Sequence, residues 1–203
     1  QVIPVLRVLD ELYGLKRVVY STYQAVAGSG QKGIDDLEAN LRGEDSKGYP
    51  HQIAFNLIPH IDTFLDNGYT KEEIKMIEET RKILGRPDLR VTATCVRVPV
   101  RMGHAVSINV ELEKPFDLKD VIEAFNKKEG VVVSDDVKNN VYPMPLDAAG
   151  KDEVFVGRIR RDESLENGLN LWVVADNIRK GAATNAVQIA EELIKRGKVK
   201  DKE

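Results

Sequence analysis

The sequence predicts an α+β fold: a mixed, largely antiparallel sheet with helices packed on one face. Segments that alternate apolar and polar residues, as strands do, recur between segments with helical spacing. The connections between them are short, which favours antiparallel pairing. With 203 residues, 42% of them hydrophobic and 31% charged, the chain is long enough for one sizeable core or two small ones.

The first half of the chain mixes helices and strands. Apolar residues at helical spacing predict a helix that ends at Gly14, and β-branched and aromatic residues predict a strand at 16–23. Thr70 and Glu73 have the spacing of a capping box for a helix that ends at Gly85. This half is also predicted to contain a small-residue turn at 24–30, a short amphipathic helix at 34–41, a polar loop at 43–51, an irregular apolar segment with room for a short strand at 53–64, and a turn at 66–68.

The second half is predicted to be mostly strands. Residues 91–113 alternate on both sides of a short interruption, which is typical of two half-buried strands. Asp117 is placed to cap a helix that ends near Gly130. The other expected elements are a strand at 131–133, extended chain around Pro143 and Pro145, a hairpin of strands at 153–160 and 168–175 with its turn at Asn167–Gly168, a helix at 177–196 and a charged tail at 199–203.

Composition argues against several classes of function. The net charge of −3 predicts no broad nucleic-acid-binding surface. No apolar run approaches the roughly 18 residues of a membrane span, and the start has no signal-peptide pattern. The lone cysteine, Cys95, rules out an internal disulfide and suits the cytoplasm. His51 and His60 have no acidic or thiol partner in register, so no metal site is predicted.

Charged side chains cluster in the interruption between the two strands of the 91–113 stretch. Arg97 and Arg101 are fixed cations that could hold an anionic substrate, and His104 is the usual kind of proton carrier near neutral pH. Gly103 gives the backbone freedom to orient this histidine. Taken singly, each side chain is also consistent with an ordinary surface position, and Arg101 resembles a solvated turn residue.

The capped helix carries a second set of candidates. Lys75 lies in its first turns, where a lysine can bind phosphate, although a solvated face shared with Glu72 and Glu79 explains it equally simply. Glu73 and Lys75 are two residues apart and do not face each other on a helix, so they would contact different parts of a ligand. Cys95 lies mid-strand among apolar neighbours, so we interpret it as inert packing rather than as a nucleophile.

Both ends of the chain suggest that it belongs to something larger. Gln1 already lies inside an apolar pattern, without an initiator methionine or a residue to cap the first helix, so we expect a piece cut from a longer polypeptide. The helix at 177–196 is apolar around much of its circumference. Such a helix is expected to be buried, against a part of the protein that the chain does not contain.

Six motifs occur together and in order, and over nearly the whole chain they resemble bacterial aspartate-semialdehyde dehydrogenase. They are STYQAVAG at 21–28, FNLIP at 55–59, EEIK at 72–75, ETRKIL at 79–84, TATCVRVPV at 92–100 and NIRKGAA at 177–183. The resemblance implies the fold of a glyceraldehyde-3-phosphate dehydrogenase C-terminal domain. Residues 1–176 would form the substrate-binding and dimerisation domain, and residues 177–203 would return to a nucleotide-binding domain that precedes this chain.

The resemblance also implies an activity. Enzymes of this family reduce L-aspartyl 4-phosphate to L-aspartate 4-semialdehyde with NADP, in the biosynthesis of lysine, methionine and threonine. The reaction passes through a thioester on a cysteine, whose motif would end just before Gln1. We therefore expect NADP to be bound mostly by the preceding domain, the isolated chain to be inactive, and the enzyme to be a cytoplasmic homodimer or tetramer.

The family roles carry over by motif to five substrate-site residues. His104 matches the catalytic acid/base, and Arg97 matches the arginine that holds the substrate carboxylate. Gln24 matches the glutamine that orients the substrate. Lys75 matches the phosphate-binding lysine, and Glu73 is similar to the carboxylate that meets the substrate amino group.

Three further residues match positions that contact the cofactor: Ala27, Gly28 and Asn177. Ala27 stands where serine is common in the family, which puts a hydroxyl contact in question but leaves the backbone contacts intact. A related acyl reductase, acting on malonyl-CoA or an acylglutamyl phosphate, would not need Glu73 for a free amino group. An alternative of a different class is that this chain is a non-catalytic dimerisation module.

Overall fold

A computed structural model describes residues 1–198, which form a six-stranded sheet with helices against it. The predicted tail at 199–203 lies outside the described residues. The helices are α1 (Ile3–Tyr13), α2 (Gln31–Leu41), α3 (Lys71–Leu84), α4 (Leu118–Lys127), α5 (Pro145–Ala148) and α6 (Thr184–Lys195). The strands are β1 (Leu15–Ala25), β2 (Arg90–Val98), β3 (His104–Leu112), β4 (Val131–Val133), β5 (Val154–Asp162) and β6 (Gly168–Ala175). Short 3-10 turns at Val26–Ser29 and Val137–Asn139 and a π-helical turn at Arg179–Ala183 complete the regular structure.

The strand order in the sheet is β2–β1–β3–β6–β5–β4. The β1–β2 and β4–β5 pairs are parallel, and the β1–β3, β3–β6 and β5–β6 pairs are antiparallel. The predicted mixed, largely antiparallel sheet is confirmed, and so is the hairpin of the last two strands.

The strands β2 and β3 are consecutive in sequence but are not neighbours in the sheet, because β1 lies between them. Residues 99–103 connect them across the end of β1. There the backbone N–H groups of Val26 and Ala27 donate to the carbonyls of Val100 and Arg101 at 2.9 and 3.1 Å. The expectation that a short connection means antiparallel neighbours is wrong at this point. As a result, the charged interruption lies where three strands meet rather than at the tip of a hairpin.

The helices α1, α3 and α4 cover one face of the sheet, as predicted. In β1, Val18, Tyr20 and Thr22 are buried under them, whereas Ser21 and Tyr23 point to the opposite face and are exposed. The main core joins such strand residues to apolar side chains of the helices, among them Val5, Leu6 and Leu9 of α1 and Val121 and Phe125 of α4. The opposite face is more open and carries the ring pair of Tyr23 and Trp172, with centroids 5.3 Å apart.

Local sequence signals set several helix ends. Thr70 and Glu73 form the predicted capping box, and Gly85 ends α3 in a left-handed conformation. Asp117 caps α4 as predicted. Pro145, in contrast, does not continue extended chain: it occupies the first position of α5, where its fixed φ and missing N–H suit a helix start.

The terminal helix differs from its prediction. The segment 177–196 is divided into the π-helical turn and α6, and no side chain of α6 is buried. Val187, Ile189, Leu193 and Ile194 are 43–65% exposed. The predicted burial is not found within residues 1–198, because α6 contacts chiefly the turn that precedes it.

Residues 1–198 show neither a membrane-spanning helix nor a metal-binding cluster. No helix among them is long and apolar enough to cross a membrane. They also contain no group of three His, Cys, Asp or Glu side chains that could hold a metal ion. Cys95 is buried, and burial raises the pKa of its thiol to about 12, in agreement with its interpretation as inert packing.

One carboxylate, that of Glu73, joins α3 to the edge of the sheet. Its Oε2 accepts the N–H of Thr70 at 2.8 Å, and its Oε1 accepts the N–H of Cys95 at 3.0 Å. Cys95 belongs to β2, an edge strand, so this side chain satisfies an amide that has no neighbouring strand. Glu73 is 8% exposed, and its contacts fix the position of α3 along β2.

We predict that Glu73→Gln lowers the free energy of unfolding by about 1–3 kcal/mol, because one amide end must then face a backbone N–H as a second donor. Urea unfolding followed by circular dichroism measures the change. Glu78→Gln is the matched control, since Glu78 is exposed on the same helix. Equal stability of the two variants would contradict the role assigned to Glu73.

Candidate active site

Arg97, Gln24 and His104 form a row across one end of the sheet. Gln24 is opposite Arg97 in the β1–β2 pairing. In the β1–β3 pairing Tyr23 is opposite Ala105, so His104 follows beside Gln24. Arg97 and Gln24 are buried on the face that the helices cover, with 5% and 8% exposure. The register of three strands therefore brings a cation, an amide and an imidazole together.

This row borders a cleft of about 570 Å³. Of the predicted residues, Gln24, Lys75 and His104 line it directly. Arg97 is not among the lining residues; its guanidinium lies beside Gly28 and the His104 ring. The other polar residues in the lining are Gln1, Thr22, Glu72, Glu79, Thr80, Lys180 and Asn185.

His104 presents a neutral imidazole with a defined tautomer. The backbone N–H of Ala25 donates to its Nδ1 at 3.0 Å. A backbone N–H can only donate, so the proton of the neutral ring lies on Nε2. Burial, followed by the nearby charge of Arg97, lowers the pKa of His104 to about 3. At neutral pH the ring therefore offers Nε2–H as a hydrogen-bond donor.

Arg97 is a buried cation whose fork is only partly used. Its Nη1 donates to the carbonyl of Ala25 at 2.7 Å, while its Nε is buried and has no hydrogen-bond partner within residues 1–198. Burial lowers the pKa of Arg97, and Tyr49 and Glu72 oppose this shift. Buried charges in proteins are nearly always paired, so the unpartnered edge of this guanidinium indicates an anionic ligand.

Gly28 leaves the space in which Arg97 and His104 meet. A Cβ atom at this position would lie 2.8 Å from Arg97 Nη1 and 3.2 Å from His104 Nε2. Gly28 does not have a positive φ, so the requirement for glycine here is one of space rather than of backbone conformation.

Glu72 connects Gln24 to Lys75 at the cleft. Its Oε1 accepts from Gln24 Nε2 and its Oε2 accepts from Lys75 Nζ, both at 3.2 Å. Burial acts to lower the pKa of Lys75, but the charges of Glu72, Glu79 and Asp62 outweigh it, so the net pKa is raised and the lysine stays cationic. The cleft thus holds a positive and a negative group side by side.

The structure does not bring Glu73 to the cleft, because both of its carboxylate oxygens accept backbone N–H groups elsewhere. Its neighbour Glu72 lines the cleft instead, as does Glu79. Helical geometry could have indicated this: residues three apart share a face, so Glu72 faces Lys75 whereas Glu73 does not. The motif EEIK alone could not separate two adjacent glutamates.

The predicted cofactor residues lie at the ends of the same strands. Ala27 donates its N–H to the carbonyl of Arg101 at 3.1 Å. Asn177 accepts the N–H of Gly103 at 3.0 Å through Oδ1, which ties it to the residue before His104. Arg101 pairs with Glu38 at 2.8 Å near the surface, as expected for a solvated turn residue.

Comparison with known proteins identifies the family. The sequence pattern of the family described as semialdehyde dehydrogenase, dimerisation domain, matches residues 6–180. The chain belongs to this family. Aspartate-semialdehyde dehydrogenase of Aquifex aeolicus is 53% identical over 204 aligned residues, which cover 97% of this chain and 60% of that protein. The resemblance drawn from the six motifs is thereby confirmed.

Solved structures of family relatives agree with the fold. The crystal structure of aspartate semialdehyde dehydrogenase II from Vibrio cholerae matches with a TM-score of 0.91 and 46% identity, over 96% of this chain and 59% of that one. The same enzyme complexed with ASA matches with a TM-score of 0.89. The enzyme from Candida albicans with NADP, 26% identical, matches with a TM-score of 0.72, over 98% of this chain and 56% of that one. This chain spans about 60% of the length of such relatives.

We predict that Gly28→Ala disturbs the site without unfolding the protein, because the new methyl group displaces Arg97 and the His104 ring. The expected result is a change in the ring signals of His104 by NMR and about tenfold weaker binding of an anionic ligand such as L-aspartate. Gly48→Ala is the control, since a Cβ there meets Asp36 at an ordinary 3.6 Å. Unchanged His104 signals in Gly28→Ala would refute the close approach.

We predict that His104 stays neutral from about pH 8 to about pH 5, with its midpoint moved down from 6.5 to about 3. The unfolded chain binds this proton more readily, so His104 lowers stability as the pH falls from about 6.5 towards about 3. L-Aspartate bound at Arg97 would offset the cation and raise the midpoint. NMR titration of the ring measures both, with Arg97→Gln as control. A midpoint insensitive to L-aspartate would contradict the coupling.

Proposed function

We propose that this chain is the substrate-binding and dimerisation part of an NADP-dependent aspartate-semialdehyde dehydrogenase. The enzyme would convert L-aspartyl 4-phosphate to L-aspartate 4-semialdehyde and phosphate, on the route to lysine, methionine and threonine. The observation that carries this proposal is the buried Nε of Arg97, which has no partner within residues 1–198 and lies beside His104 and next to a cleft with Glu72 and Lys75. The family membership and the ASA complex of the Vibrio cholerae relative support it.

The charges of the site complement those of the substrate. The α-carboxylate would bind the free edge of Arg97, where a guanidinium accepts a carboxylate in a two-point contact. The ammonium group would bind Glu72, and the phosphate would bind Lys75. Glu72 and Lys75 neutralise each other at 3.2 Å without ligand. A substrate with both an ammonium and a phosphate group can replace each partner without leaving a charge unpaired.

His104 would act on the oxygen of the reacting carbonyl. In its neutral form Nε2–H donates a hydrogen bond that stabilises negative charge on this oxygen. Full proton transfer needs the imidazolium, which burial and then the charge of Arg97 oppose by lowering the pKa of His104. A carboxylate bound at Arg97 offsets this charge and brings the pKa of His104 closer to the working pH.

The nucleophile would come from the polypeptide that precedes Gln1. Gln1 lines the cleft together with Gln24 and His104, so residues joined to its amino group would enter the same space. A cysteine thiolate there would attack the acyl carbon, the carbon–phosphate oxygen bond would break, and phosphate would leave. Gln24, whose Nε2 donates to Glu72 at the cleft, would orient the acyl group. NADPH, when bound, supplies the hydride that reduces the resulting thioester.

The residues of this chain would make only a few of the contacts to NADP. Within the described part of the chain, Asn177 forms a side-chain hydrogen bond only through Oδ1. Its Nδ2 hydrogens therefore remain available to the carboxamide of the nicotinamide ring. Gly28 lacks the Cβ that would narrow the approach to His104. The exposed apolar side chains of α6 would pack on the nucleotide-binding domain, which would bind most of the cofactor.

A homodimer, or a tetramer built from dimers, would use the open face of the sheet. This face carries Tyr23, Trp172 and Tyr142, and two adjoining grooves on it share Arg158 and Arg160. Aromatic and arginine side chains are enriched at protein interfaces. The family description names dimerisation, which supports this assignment. The assembled enzyme would work in the cytoplasm, without a membrane or nucleic-acid partner.

We predict that the 203-residue chain alone shows no aldehyde oxidation with NADP and phosphate, whereas the enzyme that also contains the preceding domain does. Measurement of NADPH formation at 340 nm with L-aspartate 4-semialdehyde tests this. Within the complete enzyme, His104→Ala should lower kcat by about 10²–10⁴, and Arg97→Lys should mainly raise KM because the two-point contact is lost.

The controls are His51→Ala and Arg90→Lys, both at exposed positions. Turnover by the isolated chain would contradict the proposal that the nucleophile lies outside it. Unchanged kinetics of either site variant would remove that residue from the site. Faster turnover of malonyl-CoA or an acylglutamyl phosphate would favour a related acyl reductase instead.

A further inference from the structure

A threonine that the motif comparison did not single out lies behind Gln24. Thr22 is 1% exposed in β1, two residues before Gln24 and on the same face of the sheet. Its Oγ1 makes two hydrogen bonds: it accepts the N–H of Val96 at 3.3 Å and donates to Oε1 of Gln24 at 3.0 Å. A hydroxyl is thus enclosed between a backbone donor and a side-chain amide.

The direction of these hydrogen bonds is fixed by chemistry. The N–H of Val96 can only donate, so the hydroxyl hydrogen of Thr22 remains free for the carbonyl oxygen of Gln24. At the other end, the carboxylate of Glu72 can only accept, so it must face Nε2 of Gln24. An amide flipped by 180° would place its oxygen against a carboxylate. The Glu72 end therefore selects one orientation of Gln24, and in that orientation Thr22 donates to Oε1.

We propose that Thr22 is a positioning residue for Gln24, which fixes the orientation of its amide and directs its Nε2 hydrogens towards Glu72 and the cleft. Nε2 carries two hydrogens and has one acceptor, Glu72, among residues 1–198. The second hydrogen is thereby available to a ligand in the cleft. Its effect on turnover rests on the proposed function, whereas the orientation of the amide does not.

The same hydroxyl also transmits the position of β2 to the cleft. Val96 precedes Arg97, so the hydrogen bond from its N–H fixes Thr22 relative to the strand that carries the guanidinium. Gln24 then continues to Glu72 of α3, and Glu72 to Lys75. One unbroken series of hydrogen bonds joins the strand of the proposed carboxylate site to the helix of the proposed phosphate site. Loss of the Thr22 hydroxyl would interrupt this series, although Glu73 also joins α3 to β2.

The test compares Thr22→Val, Thr22→Ala and Thr22→Ser. The valine variant keeps the shape and the serine variant keeps the hydroxyl. Thr94→Val is the matched control, because Thr94 is exposed on the neighbouring strand β2. The first readout is the pair of side-chain amide signals of Gln24 in ¹⁵N NMR of the 203-residue chain, assigned through Gln24→Ala.

We expect the two side-chain amide protons of Gln24 to have the same chemical shifts in Thr22→Ser and Thr94→Val as in the wild type. In Thr22→Val and Thr22→Ala they should move towards the positions of a free amide. Should the valine variant fail to fold, the alanine and serine variants still isolate the hydroxyl. Unchanged Gln24 signals in the folded variants without the hydroxyl would overturn the proposal, as would equal changes in the serine and alanine variants.

The second readout is kcat/KM of the complete enzyme, which should fall about tenfold in Thr22→Val and recover in Thr22→Ser. A complete enzyme with no turnover in any form would refute the proposed function and leave the NMR result to decide the role of Thr22. Normal turnover in Thr22→Val together with shifted Gln24 signals would overturn the catalytic part of the proposal.

Discussion

The buried guanidinium of Arg97 is the constraint on which the site depends. Removal of a charge from water costs several kcal/mol unless partners compensate, and here one edge has only the Ala25 carbonyl while Nε has no partner in the described chain. The surrounding structure holds it in place nonetheless. Ile58 exchanges both backbone hydrogen bonds with Arg97, at 3.0 and 2.8 Å, and Gly28 leaves the space for the side chain. Such a costly arrangement is typical of a site that recognises an anion.

The same cation controls the proton chemistry of its neighbour. After burial, the charge of Arg97 is the largest cause of the low pKa of His104. An anion that pairs with Arg97 therefore also makes His104 easier to protonate, without any movement of the backbone. Anion binding at Arg97 and protonation of His104 are thus coupled through one electrostatic interaction.

The sequence predicted the helices and strands better than the order of the strands in the sheet. The capping box of α3, the cap at Asp117 and the alternation of β2 and β3 are local patterns, and local physics decides them. That β1 lies between β2 and β3 is a property of the whole sheet, which alternation cannot reveal because it shows the buried face of a strand and not its partner. The row of Arg97, Gln24 and His104 therefore became visible only through the strand register.

Motif matching met a similar limit within α3. EEIK located the right turn of the helix but not which glutamate faces the cleft, since adjacent residues on a helix diverge by about 100°. Thr22 carried no signal in sequence, because a threonine in a strand is most simply explained by β-propensity. Its proposed role depends on hydrogen bonds to Gln24 in the same strand and to Val96 in the neighbouring strand β2.

The terminal segment connects the site to the rest of the proposed enzyme. Asp176, fully buried, accepts the N–H groups of Ile178, Arg179 and Gly150, so the start of this segment is firmly attached to the sheet. Asn177 holds the residue before His104. Beyond this anchor, α6 presents apolar side chains to solvent. A domain that covers α6 would therefore stabilise the wall of the cleft that contains Lys180 and Asn185. It would also affect His104, because Asn177 accepts the N–H of Gly103, the residue before His104.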